Sequence, residues 1–203
     1  KGMKAMFVMM NEARLLVGMQ GFSCATTAYM YAVNYAKERI QGPNLTKPAG
    51  GGVPIIQHPD VRRQLIIMKS FVEAMRRLLY FIGYCNDIIA ISDDAAVKEK
   101  YQGFIEILTP VAKGYVTDRA FEVCNHAIQV YGGYGFVEEY PVAQLMRDCR
   151  ITMIDEGTNG IQAMDLLGRK LGMNKGKVFM ELMGEIQKSI KDGKAQAALA
   201  PFA

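Results

Sequence analysis

Apolar residues recur at helical spacing along nearly the whole chain, and the breaks in that rhythm are few. Met3, Met6, Phe7, Met10, Val17 and Phe22 share one stripe in a segment free of proline, which predicts a single long helix over residues 3 to about 39. The stretch QGPNLTKPAGGGVP (41–54) gathers Gly, Pro and Asn and reads as loop. Pro59 with Asp60 opens a second helix to about residue 91, and Ser92 or Asp93 caps a third. Thr109-Pro110 reads as an N-cap followed by Pro at the first helical position, so a break is expected there, with a separate helix over 110–131. Shorter helices follow over 141–149 and 160–171, and a last one over 174–192. Nothing alternates with period two. The pattern predicts an all-α fold, a bundle of long helices with no sheet. The bundle is expected over 1–173, and an additional C-terminal helix and tail over 174–203 as the start of a further domain. The opening KGMKAMFVMM already lies inside an amphipathic pattern and lacks an initiator methionine, so a piece of a longer polypeptide is expected.

Composition narrows the classes. In 203 residues, 50% are hydrophobic, enough to build one sizeable core. The surplus of 24 Lys+Arg over 20 Asp+Glu gives +4, too small and too scattered for a nucleic-acid surface but suited to a small phosphate-bearing ligand. Four cysteines without CxxC spacing, Cys24, Cys85, Cys124 and Cys149, are expected as buried free thiols in a reducing compartment, not as a metal site. No apolar run reaches the roughly 18 residues of a membrane helix, and no signal-peptide layout is present. The expected location is a bacterial cytoplasm or an organelle matrix.

Three constellations carry chemistry. In IDEGTNGIQ (154–162), Gly157 and Gly160 permit tight backbone, and Thr158 or Asn159 can cap the following helix; on physics alone Glu156 reads first as a charge serving that helix end. In QVYGGYGF (129–136), Gly132 and Gly133 either let a ligand approach the backbone or simply end a helix in a left-handed turn. Arg39 and Arg62 or Arg63 flank the Gly-rich loop, where they meet phosphate or remain solvated. His58, at a helix start, suits a local turn contact, and His126 a packing role within a helix. Arg14 interrupts an apolar helix between Met10 and Val17; it snorkels to solvent or holds an anion, because an unpaired guanidinium is expensive to bury.

Read in order, RLLVGMQGFSCATTAYMYAVNYAKERIQG, IIQHPDVRRQL and AIQVYGGYGFVEEYPVAQLMRDCRITMIDEGTNGIQAMDLLGRK resemble the C-terminal helical domain of the acyl-CoA dehydrogenase family over residues 3–171. The segments EGTNGIQAMDLLGRK and HPDVRR are similar to the subgroup that includes 3-methylmercaptopropionyl-CoA dehydrogenases. The resemblance implies α,β-dehydrogenation of an acyl-CoA thioester, with Glu156 as the α-proton base and FAD as hydride acceptor. It implies that the Glu156 amide and Gly157 border the thioester, and that Arg14 meets the CoA portion. Gln129, Val130, Tyr131, Gly132 and Gly133 match a segment that contacts the FAD of a neighbouring subunit, Arg39 and Gln41 match a pyrophosphate contact, and His58, Thr158 and Gly160 match flavin-contacting positions. Also implied are a homodimer or dimer of dimers and an electron-transfer protein as acceptor. The family's N-terminal helical and middle β-domains are not among these 203 residues, so the piece alone is expected to be inactive. Three departures stand out: Asp155 where Tyr is common, His58-Pro59 where His-Gln is common, and the long loop after Arg39. Two other readings stay open, a non-catalytic helical assembly module of the same fold and a flavin-dependent oxidase relative.

Overall fold

A computed structural model describes residues 2–196, 198 and 199. Three long helices dominate: α1 (Gly2–Glu38), α2 (Pro59–Ile91) and α3 (Ala95–Tyr131). Ala25, Ala28, Ala32 and Ala36 form a wholly buried stripe on α1, whose small side chains let α3 lie close. Gly18 extends that approach, since a Cβ there would sit 3.1 Å from the Ala112 carbonyl oxygen. Gly18 faces Ala112, Gly21 faces Thr117 and Ala120, and Tyr35 stacks on Tyr131, so α1 and α3 run side by side in the same direction. α2 runs against them, its start tied to the end of α1 by the Ile55 amide on the Arg39 carbonyl (2.8 Å) and its Leu79 beside Gly18. Met68, Val72 and Met75 of α2 fill the interior against Val116, Ala120 and Val123 of α3. Each of these Met and Val side chains contributes about 1.5–3 kcal/mol of burial.

The expected absence of a sheet is corrected by a hairpin, β1 (Ile40–Asn44) and β2 (Lys47–Pro54), paired antiparallel in place of the loop. Asn44 makes the turn: its Oδ1 accepts from the Thr46 amide (2.9 Å) and hydroxyl (2.7 Å), an Asx turn that needs no alternating pattern to form. The break at Thr109-Pro110 is absent too. α3 runs through Pro110 because Phe104, Ile107, Ala112 and Val116 are buried on both sides of it, which outweighs the roughly 3 kcal/mol cost of an interior proline. The buried Thr109 hydroxyl donates to the Ile105 carbonyl there (2.7 Å).

The C-terminal part is built from shorter pieces. α4 (Pro141–Ile151) and α5 (Asn159–Asp165) flank the Glu156 loop, and α5 passes into a π-helical turn, Leu166–Lys170. Asn174 (φ 48°), Lys175 (φ 59°) and Gly176 (φ 82°) are all left-handed, so the last helix, α6 (Lys177–Lys194), begins three residues later than expected. It docks Val178 and Leu182 on the start of α3, where Gly103 leaves room: a Cβ there would lie 3.0 Å from Val178 Cγ1. The four cysteines are free thiols, and burial pushes the Cys85 thiol up to about 11. Among the described residues no helix is long and apolar enough to cross a membrane.

Candidate functional site

Between α4 and α5 the chain turns through residues 152–158, and two of them take left-handed backbone. Gly157 (φ 89°) is the residue type that does so freely; Glu156 (φ 51°) is not, and such a position costs of order 1–3 kcal/mol. The strain is held from outside. The Glu156 carbonyl accepts from Arg14 Nε (3.3 Å) on α1 and from Gln162 Nε2 (3.4 Å) on α5, and Gln162 Nε2 also donates to the Gly157 carbonyl (3.0 Å). Thr158 caps α5, its hydroxyl oxygen accepting from the Ile161 amide (3.4 Å). The partly buried Glu156 carboxylate makes no hydrogen bond among the described residues.

Arg14 is 7% exposed and holds an anion, as one of its two readings required: Nη1 pairs with Asp165 Oδ2 at 3.4 Å, and Asp165 Oδ1 accepts from Arg169 Nε at 2.8 Å. Behind the loop lies a polar cluster that sequence reasoning missed. Asn159, the first residue of α5, donates to Asp118 Oδ1 (2.7 Å), the Thr117 hydroxyl (3.0 Å) and the Gly114 carbonyl (3.2 Å). Its Oδ1 accepts from the ammonium of Lys113 (3.0 Å), a wholly buried residue of α3. Burial pulls the Lys113 pKa below its ordinary value, against the pull of Asp155 and Asp118. One Asp155 carboxylate oxygen is buried without a partner among the described residues. A charge inside the apolar run TPVAKGYV was the same signal that singled out Arg14, and it would have found Lys113.

The remaining candidates gather at the other end of the bundle. Arg39 directly follows α1 with its guanidinium 5.3 Å over the Tyr134 ring, and its Nε is buried without a partner among the described residues. Tyr134 stacks on Tyr140 (5.1 Å between centroids) and Tyr35 on Tyr131 (4.0 Å), forming an aromatic wall beside the arginine. Gln129 is exposed, Val130 and Tyr131 are buried, and a Cβ on Gly132 or Gly133 would meet nothing within 4 Å. Gly132 has φ 62° and ψ −140°, so the expected left-handed turn is corrected to an extended positive-φ conformation open to glycine. The motif's tightest requirement falls elsewhere, on Gly135, where a Cβ would lie 2.5 Å from the Ile128 carbonyl oxygen. His58 makes its expected local contact, Nε2 donating to the Gln41 carbonyl (2.7 Å). Arg63 is taken by Asp60 (2.7 Å). The structure thus groups Arg14, Glu156, Gly157, Thr158 and Gly160 at one end, and Arg39, Gln41, His58 and 129–133 at the other. The 25 residues of α1 separating Arg14 from Arg39 span about 37 Å at ~1.5 Å per residue.

Comparison with known proteins agrees with this architecture. The model of the acyl-CoA dehydrogenase C-terminal domain matches residues 1–171. A butyryl-CoA dehydrogenase of Syntrophomonas wolfei is 43% identical over 203 residues, covering 100% of this chain and 33% of the relative. A 3-methylmercaptopropionyl-CoA dehydrogenase of Ruegeria pomeroyi is 43% identical over 199 residues, 97% of this chain and 34% of the relative. The solved structure of butyryl-CoA dehydrogenase from Megasphaera elsdenii superposes with a TM-score of 0.66 at 34% identity, covering 84% of this chain and 39% of that one. The chain belongs to the acyl-CoA dehydrogenase family, a family of oxidoreductases, and corresponds to its C-terminal helical domain. It spans about a third of the length of these curated relatives.

Proposed function

We propose that this chain is the C-terminal part of a flavin-dependent acyl-CoA dehydrogenase in which Glu156 removes the α-proton of an acyl-CoA thioester. The observation that carries the reading is the loop itself: Arg14 and Gln162 fix the Glu156 backbone in a strained conformation while its carboxylate stays uncommitted. A base needs that combination of fixed position and free lone pairs. The Glu156 and Gly157 amides border the thioester carbonyl and acidify the α-carbon. Arg14 keeps Nη2 free of hydrogen bonds among the described residues, and that nitrogen is assigned to the CoA portion. FAD, when bound, supplies the acceptor for the β-hydride.

The residues at the far end fit such a cofactor. The orphaned Nε of Arg39 suits a pyrophosphate oxygen, and the open backbone at Gly132–Gly133 leaves room for a nucleotide beside Gln129 and Tyr131. Because the stretch of α1 between Arg14 and Arg39, about 37 Å long at ~1.5 Å per residue, sets the two groups apart, they serve the cofactor of a second copy, while Thr158 and Gly160 serve the one at Glu156. The working assembly is then a homodimer or dimer of dimers, whose contacts cover apolar residues such as Phe7, Met19 and Met30 that α1 exposes. Electrons leave to an electron-transfer flavoprotein, in a bacterial cytoplasm or organelle matrix. Residues 174–203 are assigned to an added C-terminal region that includes α6, a division supported by the end of the family match at residue 171.

The test is Glu156→Gln in the full-length protein. Flavin content and acyl-CoA binding should persist, while anaerobic flavin reduction falls by about 10²-fold or more. Reduction at the wild-type rate would return Glu156 to a helix-end charge.

A further inference from the structure

The Glu156 turn is gripped from two sides, and the two grips differ in kind. Arg14 reaches the Glu156 carbonyl from α1, so that hold is tied directly to the bundle. Gln162, which donates to the Glu156 and Gly157 carbonyls, stands on α5, next to the turn it holds. α5 has 7 residues, and a helix so short does not keep its own place in water. What Gln162 contributes to the turn therefore depends on what ties α5 to the long helices.

Asn159 makes that tie. Among the described residues it forms every side-chain hydrogen bond between α5 and α3: Nδ2 donates to Asp118 Oδ1 (2.7 Å), the Thr117 hydroxyl (3.0 Å) and the Gly114 carbonyl (3.2 Å), and Oδ1 accepts from the Lys113 ammonium (3.0 Å). The Thr117 hydroxyl can accept because its own proton goes to the Lys113 carbonyl at 2.8 Å. Both ends of the amide are thus committed to α3. The main chain of Asn159 closes the turn as well, its N–H donating to the Met153 carbonyl (3.2 Å), and Glu156 lies midway between those two residues in the chain. We propose that Asn159 is a positioning residue for the base: it fixes the end of the turn and the start of α5 to α3, and so sets where the Glu156 carboxylate meets the substrate's α-carbon. The inference rests on the proposed role of Glu156.

Proton removal from carbon tolerates little error in the base, and a shift of about 1 Å can cost on the order of 10²-fold in rate. The Glu156 carboxylate makes no hydrogen bond among the described residues, so its place is set by its backbone, and the backbone by Arg14 and by the α5 anchor. An Asn159 that served stability alone would lower Tm when removed and leave the reaction of the folded protein unchanged. An Asn159 that positions the base slows proton removal in protein that is folded, holds its flavin and binds substrate, and that difference is measurable.

The experiment is anaerobic flavin reduction by acyl-CoA in the full-length flavoprotein, well below its Tm, with the limiting rate and the acyl-CoA affinity read separately. Asn159→Ala should lower the limiting rate by about 10- to 10²-fold, with flavin content and affinity near wild type. Asn159→Asp is nearly isosteric and serves if Asn159→Ala does not fold. It sets a carboxylate against Asp118 and the Gly114 carbonyl where an amide donated, so its limiting rate should fall too. Adding Asp118→Asn to Asn159→Asp restores that bond with donor and acceptor exchanged, and should recover most of the loss. An undiminished limiting rate in either folded single variant overturns the proposal, as does a double variant no faster than Asn159→Asp. Loss of flavin, or a fall confined to acyl-CoA affinity, overturns it as well, because the anchor would then serve binding and not the base. Glu156→Gln separates the two claims: if that variant reduces flavin normally, the base assignment itself fails, whereas an inactive Glu156→Gln beside an undiminished Asn159→Ala removes only the role of Asn159.

Discussion

Deleting the Arg14 guanidinium tests whether the strained loop is held from α1. Arg14→Met keeps most of the stem and removes the Nε bond to the Glu156 carbonyl (3.3 Å) and the Nη1 pair with Asp165 (3.4 Å). The pair is nearly enclosed, with side chains 9% and 11% exposed, and removing one partner of a buried pair typically costs about 3–5 kcal/mol. The cost here should be smaller. Both contacts are long, Asp165 keeps Arg169 at 2.8 Å, and the Glu156 carbonyl keeps Gln162 at 3.4 Å, so neither partner is abandoned. About 1.5–2.5 kcal/mol is expected, which for a chain of this size lowers Tm by about 3–10 °C. Thermal unfolding followed by far-UV circular dichroism gives the loss, and a cycle with Asp165→Asn should return a coupling of about 1 kcal/mol. Amide exchange adds location: the Asn159 amide, bonded to the Met153 carbonyl at 3.2 Å, should exchange faster, while the buried centre of α3 stays protected. A Tm within about 1 °C of wild type, or strict additivity with Asp165→Asn, refutes the clamp.

Gly135→Ala should cost about 2–3 kcal/mol in a denaturant melt, because its Cβ would meet the Ile128 carbonyl oxygen at 2.5 Å and Ile128 Cα at 2.9 Å, backbone atoms with nowhere to go. Gly133→Ala, which meets nothing within 4 Å, should stay within about 0.5 kcal/mol, and an equal loss at both positions would contradict this account. The bond between Lys100 and Glu185 (2.6 Å) holds the glutamate pKa below its ordinary value and the lysine above its own. The glutamate's contribution is therefore present above the usual carboxylate range and lost as pH falls through its lowered folded value; the lysine's is lost only on the alkaline side. With side chains 34% and 43% exposed, the effect is limited to under about 1 kcal/mol and weakens in salt. Amide exchange in α6 should quicken below about pH 4, and Glu185→Gln should abolish that dependence; acid loosening unchanged in the variant counts against it.

The long helices were legible because their burial is periodic and Pro59 marks the start of α2, as Pro141 does for the shorter α4; the expected cap of α3 at Ser92 or Asp93 is corrected to Asp94, whose Oδ1 accepts from the Ala96 amide (2.8 Å), while Ser92 closes α2. What escaped was decided by tertiary structure. Pro110 carries a local stop signal, but the side chains buried on either side of it come from one continuous helix face, and packing outweighed the signal. The hairpin escaped for the opposite reason: it has hardly any core of its own, and a turn at Asn44 and a contact between His58 and Gln41 fix it without alternation. Asn174 and Lys175 adopt positive φ with nothing in their chemistry to announce it beyond the tolerance of Asn for that region.

The loop at Glu156 was legible for a physical reason too, since Gly157 and Thr158 are the residue types that a left-handed turn and a helix cap require. Its supports were not, because Gln162, Asp165 and Asn159 look like ordinary polar positions of a short helix until the fold turns them inward. The spacing of the two candidate groups was hidden as well. Sequence order sets Gly133 only 23 residues before Glu156, yet α4 carries the chain back along the bundle, and the distance that matters is the length of α1. A stripe of alanines and glycines packs α1 so closely on α3 that this length cannot adjust to a ligand. On the proposed reading, the rigid pair acts as a spacer: it presents a base at one end and a nucleotide cradle at the other, too far apart to meet on one molecule. Each complete site then requires a second copy, and an isolated copy would hold two halves of different sites.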